Sequence, residues 1–254
     1  MLLPAIHTKR RTALAQAVSE PILLMGNGLR ARNLPMSPVP FRQDSSFLYF
    51  TGCTQPGAAL LIVDGQSTLY LPEAAADDAL WHGATATIAE QASALGFSSV
   101  RPVQHLEADT EALGDIATIA VPDLAQTMRA AALTGTSLKF GQDNGHEALI
   151  DAIINARLIL DHAEHDEMRA TAVITEAAHR AAMAATRPGA HEQHIAAAFQ
   201  DVVVRNGLSL AYPSIVTVQG EVLHNFNYVN TLREGQLLLL DGGAEAKSGY
   251  ANDV

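Results

Sequence analysis

Asp241 closes the apolar run Leu237-Leu238-Leu239-Leu240, and Asp253 stands beside the last residue, Val254. A carboxylate where a buried strand runs out is costly unless something compensates its charge. If residues 237–254 fold as a hairpin with Asp241 directly opposite Asp253, the turn centres on Lys247, and Lys247-Ser248-Gly249 has the composition of a turn. Directly paired residues hold their Cβ atoms about 4.5–5.5 Å apart, a distance at which two carboxylates repel. Two divalent cations about 3.5–4 Å apart would convert that repulsion into attraction. The same residues have an ordinary interpretation, because Asp241-Gly242 is a common turn signal and Asp253 can be a solvated acid near the end of the sequence. Spacing alone leaves both open.

Other side chains with chemical potential are few. His224, in Val222-Leu223-His224-Asn225, is by itself an ordinary polar residue. An imidazole does have an unperturbed pKa near neutrality, which suits proton transfer at working pH. His162, His165, His191 and His194 lack a Cys or Glu to complete a ligand set at zinc spacing and read as surface positions. The lone Cys53 excludes an intrachain disulfide and fits a reducing, cytoplasmic setting.

The elements that must position these residues fall into two groups. Residues 8–19 have a helical pattern and Pro21-Ile22-Leu23-Leu24-Met25 that of a buried strand. Residues 47–50 are expected as a packed strand around Phe47, Tyr49 and Phe50, and residues 59–63 and 67–71 as a hairpin about Asp64-Gly65. A helix over 88–95 and short strands over 116–121 and 138–140 complete an α/β pattern with a mixed sheet. The runs Ala74-Ala75-Ala76 and Ala196-Ala197-Ala198 serve as helix filler. After Asp143-Asn144-Gly145 Ala-rich helices take over, and the boundary falls between residues 158 and 159. A helix over 164–186 carries Met168, Ala172, Thr175, Ala178, Ala182 and Met183 at helical spacing and stops at Arg187-Pro188-Gly189. A second helix packs through Ile195, Phe199, Val202 and Val203 and is capped by Asn206-Gly207, and strands follow over 215–218, 236–241 and from 250 on, an α+β order.

With 254 residues, 48% of them hydrophobic, the chain can bury a sizeable core. Its formal net charge of -11 disfavours nonspecific binding to nucleic acid or to an anionic membrane, because the summed field repels phosphate. No apolar run approaches the roughly 18 residues of a membrane span. The short apolar start at residues 1–6 precedes Lys9-Arg10-Arg11, the reverse of a secretory signal.

The segment Leu239-Leu240-Asp241-Gly242-Gly243-Ala244-Glu245 followed by Gly249-Tyr250-Ala251-Asn252-Asp253-Val254 resembles the Asp-x-Gly-x-Glu and Gly-Tyr-x-x-Asp-(Ile/Val) pattern of the creatinase/aminopeptidase, or pita-bread, hydrolases. Pro40-Phe41-Arg42-Gln43-Asp44-Ser45-Ser46-Phe47-Leu48-Tyr49-Phe50-Thr51-Gly52 is similar to the signature of the aminopeptidase P N-terminal domain. The resemblance implies a creatinase N-terminal-like, ribonuclease H-like α/β domain over 1–158 and the first part of an α+β pita-bread domain over 159–254. It implies Asp241 and Asp253 as metal ligands, two divalent cations, usually manganese, and His224 as a substrate-binding or proton-shuttling residue. The implied activity is removal of an N-terminal residue that precedes proline, a hydroxide between the metals attacking the scissile carbonyl and a glutamate acting as general base. A peptide substrate, a homo-oligomer, and neither nucleic acid nor membrane are the partners expected.

The sequence also departs from the pattern. One His and two Glu ligands are expected downstream of the second Asp, beyond Val254, so a C-terminally truncated chain with little peptidase activity of its own is expected. Tyr212-Pro213-Ser214-Ile215 has Ile where family members carry a second Tyr, and Trp81-His82-Gly83 resembles a tryptophan loop that in some members reaches a neighbouring subunit. Trp81 is expected as a partly buried packing residue. A prolidase acting on Xaa-Pro dipeptides, or a metal-free relative used for creatine-type hydrolysis or protein binding, are the alternatives. The two aspartates argue against the metal-free one.

Overall fold

Ile22-Leu23-Leu24-Met25 is apolar at every position because both of its faces are covered. In a computed structural model describing residues 2–75 and 77–254, this strand lies inside a five-stranded sheet. Met1 and Ala76, at the ends of the N-terminal apolar stretch and of the alanine run, lie outside the described residues. The chain divides into two units, residues 2–159 and 160–254.

The first unit opens with α1 (Pro4–Ala17) and β1 (Ile22–Met25), then α2 (Ser45–Thr51), β2 (Ala59–Val63), β3 (Gln66–Leu71), α3 (Asp78–His82), α4 (Ile88–Ala94) and β4 (Ser99–Pro102). It continues with α5 (Leu106–Glu111), β5 (Ala117–Thr118), α6 (Leu124–Thr134) and α7 (Glu147–Arg157). The strand order is β4-β3-β2-β1-β5, with β1–β2 and β2–β3 antiparallel and β1–β5 and β3–β4 parallel, the expected mixed sheet. Period-two alternation sends Ile22 and Leu24 to one face with Phe47, Phe50 and Leu149, and Leu23 and Met25 to the other with Leu106 and Ala130. At roughly 1.5–3 kcal/mol per fully buried large apolar side chain, these two layers supply most of the unit's drive to fold. The β2–β3 turn is Asp64-Gly65, both at positive φ (48° and 76°), as a two-residue hairpin demands.

Residues 47–50 are helical rather than the strand expected. The Asp44 carboxylate accepts from Phe47 N at 2.8 Å, Gly52 ends the helix at φ 66°, and Phe47, Leu48, Phe50 and Thr51 are buried on a helical stripe. Short aromatic runs satisfy either period, and the caps decided this one. Arg42 donates to Gln43 O and Ser45 Oγ and adds its charge near Asp44. Asp44→Ala is expected to lower stability by about 1 kcal/mol, read by urea unfolding, with Asp44→Asn nearer wild type. Equal midpoints for Ala and wild type would contradict the cap. Of residues 116–121 only Ala117–Thr118 pair as a strand, and Leu138-Lys139-Phe140 enters a turn closed by the Lys139–Asp143 bridge. Trp81 is 65% exposed on α3, not partly buried.

The second unit contains α8 (His162–Ala185), α9 (Glu192–Arg205), β6 (Ser209–Leu210), β7 (Ile215–Thr217), β8 (Leu239–Asp241) and β9 (Ala244–Glu245). Asp161 caps α8 in a reciprocal box with Glu164. Small Ala178 and Ala182 let α9 approach through Ile195, Phe199 and Val203, and Val216, Leu232 and Ala244 close this core. The buried face of α8 is Glu164, Thr171, Thr175, Ala178 and Ala182. Ala172 is exposed and Met183 is 69% exposed, so the stripe expected from sequence is partly rotated. The pairs are β6–β9 and β7–β8, both antiparallel. The strand expected over 236–241 is cut to Leu239–Asp241, and Leu237 is 90% exposed, so the leucine run is not a buried strand throughout.

Candidate metal centre

The segment after β8 turns back on itself as expected, but in a different register. Glu245 bridges Ala251, Asn252 N donates to Ala244 O at 3.1 Å, and Gly242 N donates to Val254 O at 3.0 Å. This pairing centres the hairpin on Ser248 and sets Asp253 opposite Gly243, whereas the expected register was centred on Lys247 with the two aspartates face to face. The shift is two residues. Because side chains alternate with period two, it leaves Asp241 and Asp253 on the same face as diagonal neighbours. The loop is Lys247-Ser248-Gly249, with Gly249 at φ 82° and Ala246 N donating to Tyr250 O at 2.8 Å.

Tyr212, in the segment between β6 and β7, brings the two carboxylates together. Its hydroxyl lies 2.5 Å from Asp241 Oδ1 and 2.6 Å from Asp253 Oδ1. The two carboxylate oxygens are therefore no more than the sum of these contacts apart. One phenol carries one proton and can donate to only one oxygen at a time, so the cluster is short of positive charge. Burial, the two hydrogen bonds and the two negative charges all push the Tyr212 phenol above its ordinary range. Two hard oxygen donors converging on a charge-deficient point fit a divalent cation, which both could chelate or bridge. Among the described residues no group of three or more His, Cys, Asp or Glu side chains is placed to hold a metal. The fit is to part of a ligand set.

Glycines clear the space. A Cβ on Gly243 would lie 1.7 Å from Asn252 O, and one on Gly242 would meet Ser214 Oγ at 2.9 Å and Phe199 Cζ at 3.0 Å. The Ser214 hydroxyl is buried there without a hydrogen-bond partner. The face of α8 toward the hairpin is polar: His179 Nε2 bonds Gly242 O at 3.0 Å, Ala244 N donates to Thr175 Oγ1 at 3.1 Å, Tyr250 donates to Glu164 at 2.5 Å, and Ser248 donates to Glu167.

His224 lies in the loop between β7 and β8. It is exposed in the turn before Asn225, its ring stacked on Phe226 at 6.2 Å between centroids. Among the described residues no hydrogen bond joins it to either aspartate. Its loop is fixed at the base by Glu192, which is fully buried. Val218 N donates to Glu192 Oε1 at 2.8 Å, Asn230 N to Oε2 at 3.0 Å, and Asn230 Nδ2 to both oxygens. Burial alone would push this carboxyl up, but the donors from Asn230, Val218 and Thr217 outweigh it and hold it below its ordinary value. His191 and His194 stand ring edge to face at 5.5 Å and belong to no ligand set among the described residues.

From sequence, Tyr212 enters only through the Tyr-Pro-Ser stretch and Thr175 only as a helical packing position, and neither they nor His179 are assigned a part beside the aspartates. The available signal was weak: a Tyr-Pro pair just before a strand, and polar residues on an otherwise packed helical stripe. Phenols and hydroxyls are common at such places, and only contact distinguishes these.

Residues 7–118 match the aminopeptidase P N-terminal domain, and residues 166–254 match the metallopeptidase family M24. A probable Xaa-Pro aminopeptidase of Fusarium vanettenii is 30% identical over 85% of this chain and 47% of its own length. A second, of Verticillium alfalfae, is 28% identical over 85% of this chain and 47% of its own. The chain thus spans about half the length of these curated relatives. The low-pH form of Escherichia coli aminopeptidase P superposes with a TM-score of 0.86 at 24% identity, covering 100% of this chain and 61% of that one. A zinc-substituted form of the same enzyme in complex with product gives 0.86 at 23%, over 99% and 61%. The mixed-sheet first unit is thus matched to the aminopeptidase P N-terminal domain over residues 7–118, and the second, with its aspartate-bearing hairpin, to metallopeptidase family M24 over residues 166–254.

Proposed function

We propose that this chain forms the N-terminal domain and the first part of the catalytic domain of a metal-dependent exopeptidase that removes the N-terminal residue from peptides with proline in second position. The observation that carries this is the convergence of Asp241 and Asp253 on the Tyr212 hydroxyl. Divalent cations held there would supply Lewis acidity toward a scissile carbonyl and lower the pKa of an attacking water. The chain's own part is to hold two carboxylates on one face of a rigid hairpin and to present His224 from a loop clamped by Glu192, where its imidazole binds substrate or passes a proton. Manganese as the metal, a homo-oligomer and a cytoplasmic setting belong to the same proposal. The buried, free Cys53 agrees with a reducing compartment, and among the described residues no helix is long and apolar enough to cross a membrane.

With two carboxylates and no third ligand among the described residues, the chain alone is expected to turn over an Xaa-Pro-Xaa tripeptide weakly or not at all in added Mn²⁺. The gene product extended through a His and two Glu at the family positions is expected to be active. Brisk turnover by these 254 residues would refute the partial-site assignment. A preference of the extended product for Xaa-Pro dipeptides would replace the aminopeptidase with a prolidase.

A further inference from the structure

Two residues of α8, Thr175 and His179, are one helical turn apart and touch the chain immediately beside each aspartate. His179 Nε2 donates to the carbonyl of Gly242, the residue after Asp241, at 3.0 Å. Thr175 Oγ1 accepts from Ala244 N at 3.1 Å and donates at 3.3 Å to the side chain of Asn252, the residue before Asp253. Each arm of the hairpin is thereby tied to the same face of one helix.

The ties are themselves held. The His179 ring stands edge-on to Phe199 of α9 at 5.1 Å, and Thr175 is 2% exposed beside the Ala178 and Ala182 contact. A buried hydroxyl in mid-helix is unfavourable unless it is hydrogen-bonded, and here both its donor and acceptor capacities go to the hairpin. The load on these contacts is electrostatic, since like charges on one face of a short hairpin drive its arms apart, and β8 and β9 have only three and two residues.

We propose that Thr175 and His179 are positioning residues that fix the separation of Asp241 and Asp253 for a divalent cation. This rests on the assignment of the two aspartates as metal ligands. Partners that orient a ligand from behind typically contribute about 10- to 100-fold in metal affinity. The contacts of Tyr250 with Glu164 and Ser248 with Glu167 lie nearer the start of α8 and are expected to keep the hairpin docked when either tie is cut.

The test uses Tb³⁺, a hard cation that takes oxygen ligands and whose luminescence is excited through a nearby tyrosine; here Tyr212 is in contact with both carboxylates. In the chain of residues 1–254, tyrosine-sensitised luminescence that disappears in Asp241→Asn assigns the signal to this site. Thr175→Val and His179→Phe keep volume and lose the hydrogen bonds, and are expected to weaken Tb³⁺ binding at least about tenfold. Thr175→Ser is expected to stay close to wild type in affinity and thermal midpoint, whereas Thr175→Val, which leaves the buried Ala244 N–H without its acceptor, is expected to lower the midpoint while remaining folded at the temperature of the titration. If Thr175→Val does not fold, Thr175→Ser and the His179→Gln and His179→Phe pair carry the comparison. Wild-type affinity in His179→Phe and in a folded Thr175→Val overturns the positioning role while leaving the metal assignment standing. No Asp241-dependent luminescence in the wild-type chain overturns both.

Discussion

Gly243→Ala is expected to abolish cation binding at the aspartate pair and to lower the stability of the second unit by about 1–3 kcal/mol or more. The added Cβ would sit 1.7 Å from Asn252 O and 2.6 Å from its carbonyl carbon, both backbone atoms of the opposing arm. No rotamer change relieves an overlap with backbone, so the arms must separate at the point where Asp253 faces Gly243. Gly243 does not occupy a left-handed conformation, so the cost comes from the overlap and not from backbone strain. Gly242→Ala provides the contrast. Its Cβ would meet Ser214 Oγ at 2.9 Å and the ring edge of Phe199 at 3.0 Å, side-chain atoms that can yield, and the loss is expected to be smaller. Urea unfolding and Tb³⁺ affinity measured on both variants test this. A Gly243→Ala chain that unfolds at the wild-type midpoint would show that the hairpin is not packed in this register.

Glu192→Ala is expected to cost roughly 3 kcal/mol or more and to release the loop that carries His224. The fully buried carboxylate satisfies Val218 N, Asn230 N and Asn230 Nδ2, and hydrogen bonds to a charged group contribute about 1.5–3 kcal/mol each, with the orphaned donors adding their desolvation. Glu192→Gln keeps one good acceptor and faces the Asn230 amide with its own N–H₂, so an intermediate loss is expected. The sign of the pH dependence follows from the lowered pKa. The stabilisation is present above the ordinary glutamate value of 4.5 and is lost as the pH falls below it toward the lower folded-state value. Denaturant unfolding at neutral pH and near pH 4 should show an acid loss in wild type that is diminished in Glu192→Gln. An identical acid loss in the two would remove Glu192 as its source.

Much of the scaffold was legible because it depends on local rules. The continuous apolar run of β1, the Asp64-Gly65 turn and the helical spacing of Thr175, Ala178 and Ala182 on α8 each follow from residue type and period within a few positions. The misassignments have a common origin. Residues 47–50 fit a strand by composition, and the Asp44 and Gly52 caps made them helical. The leucine run read as a buried strand because apolar residues signal burial, yet Leu237 is 90% exposed and Leu239 40%. Hydrophobicity states what a residue would gain by burial, while the packing elements settle whether it is buried.

The candidate site divides in the same way. Sequence by itself put Asp241 and Asp253 on one face only if the segment folded as a hairpin, one of two interpretations it left open; the register found differs by two residues and keeps that parity, whereas a slip of one would have put them on opposite faces. It also determined the glycines that such a hairpin needs. Tertiary structure alone decided the register, through the docking of Gly242, Ala244, Ser248 and Tyr250 on α8. It also decided that a tyrosine from a different segment, Tyr212, would stand between the two acids. Those contacts join residues dozens of positions apart, and no local period or propensity encodes a distance across the fold.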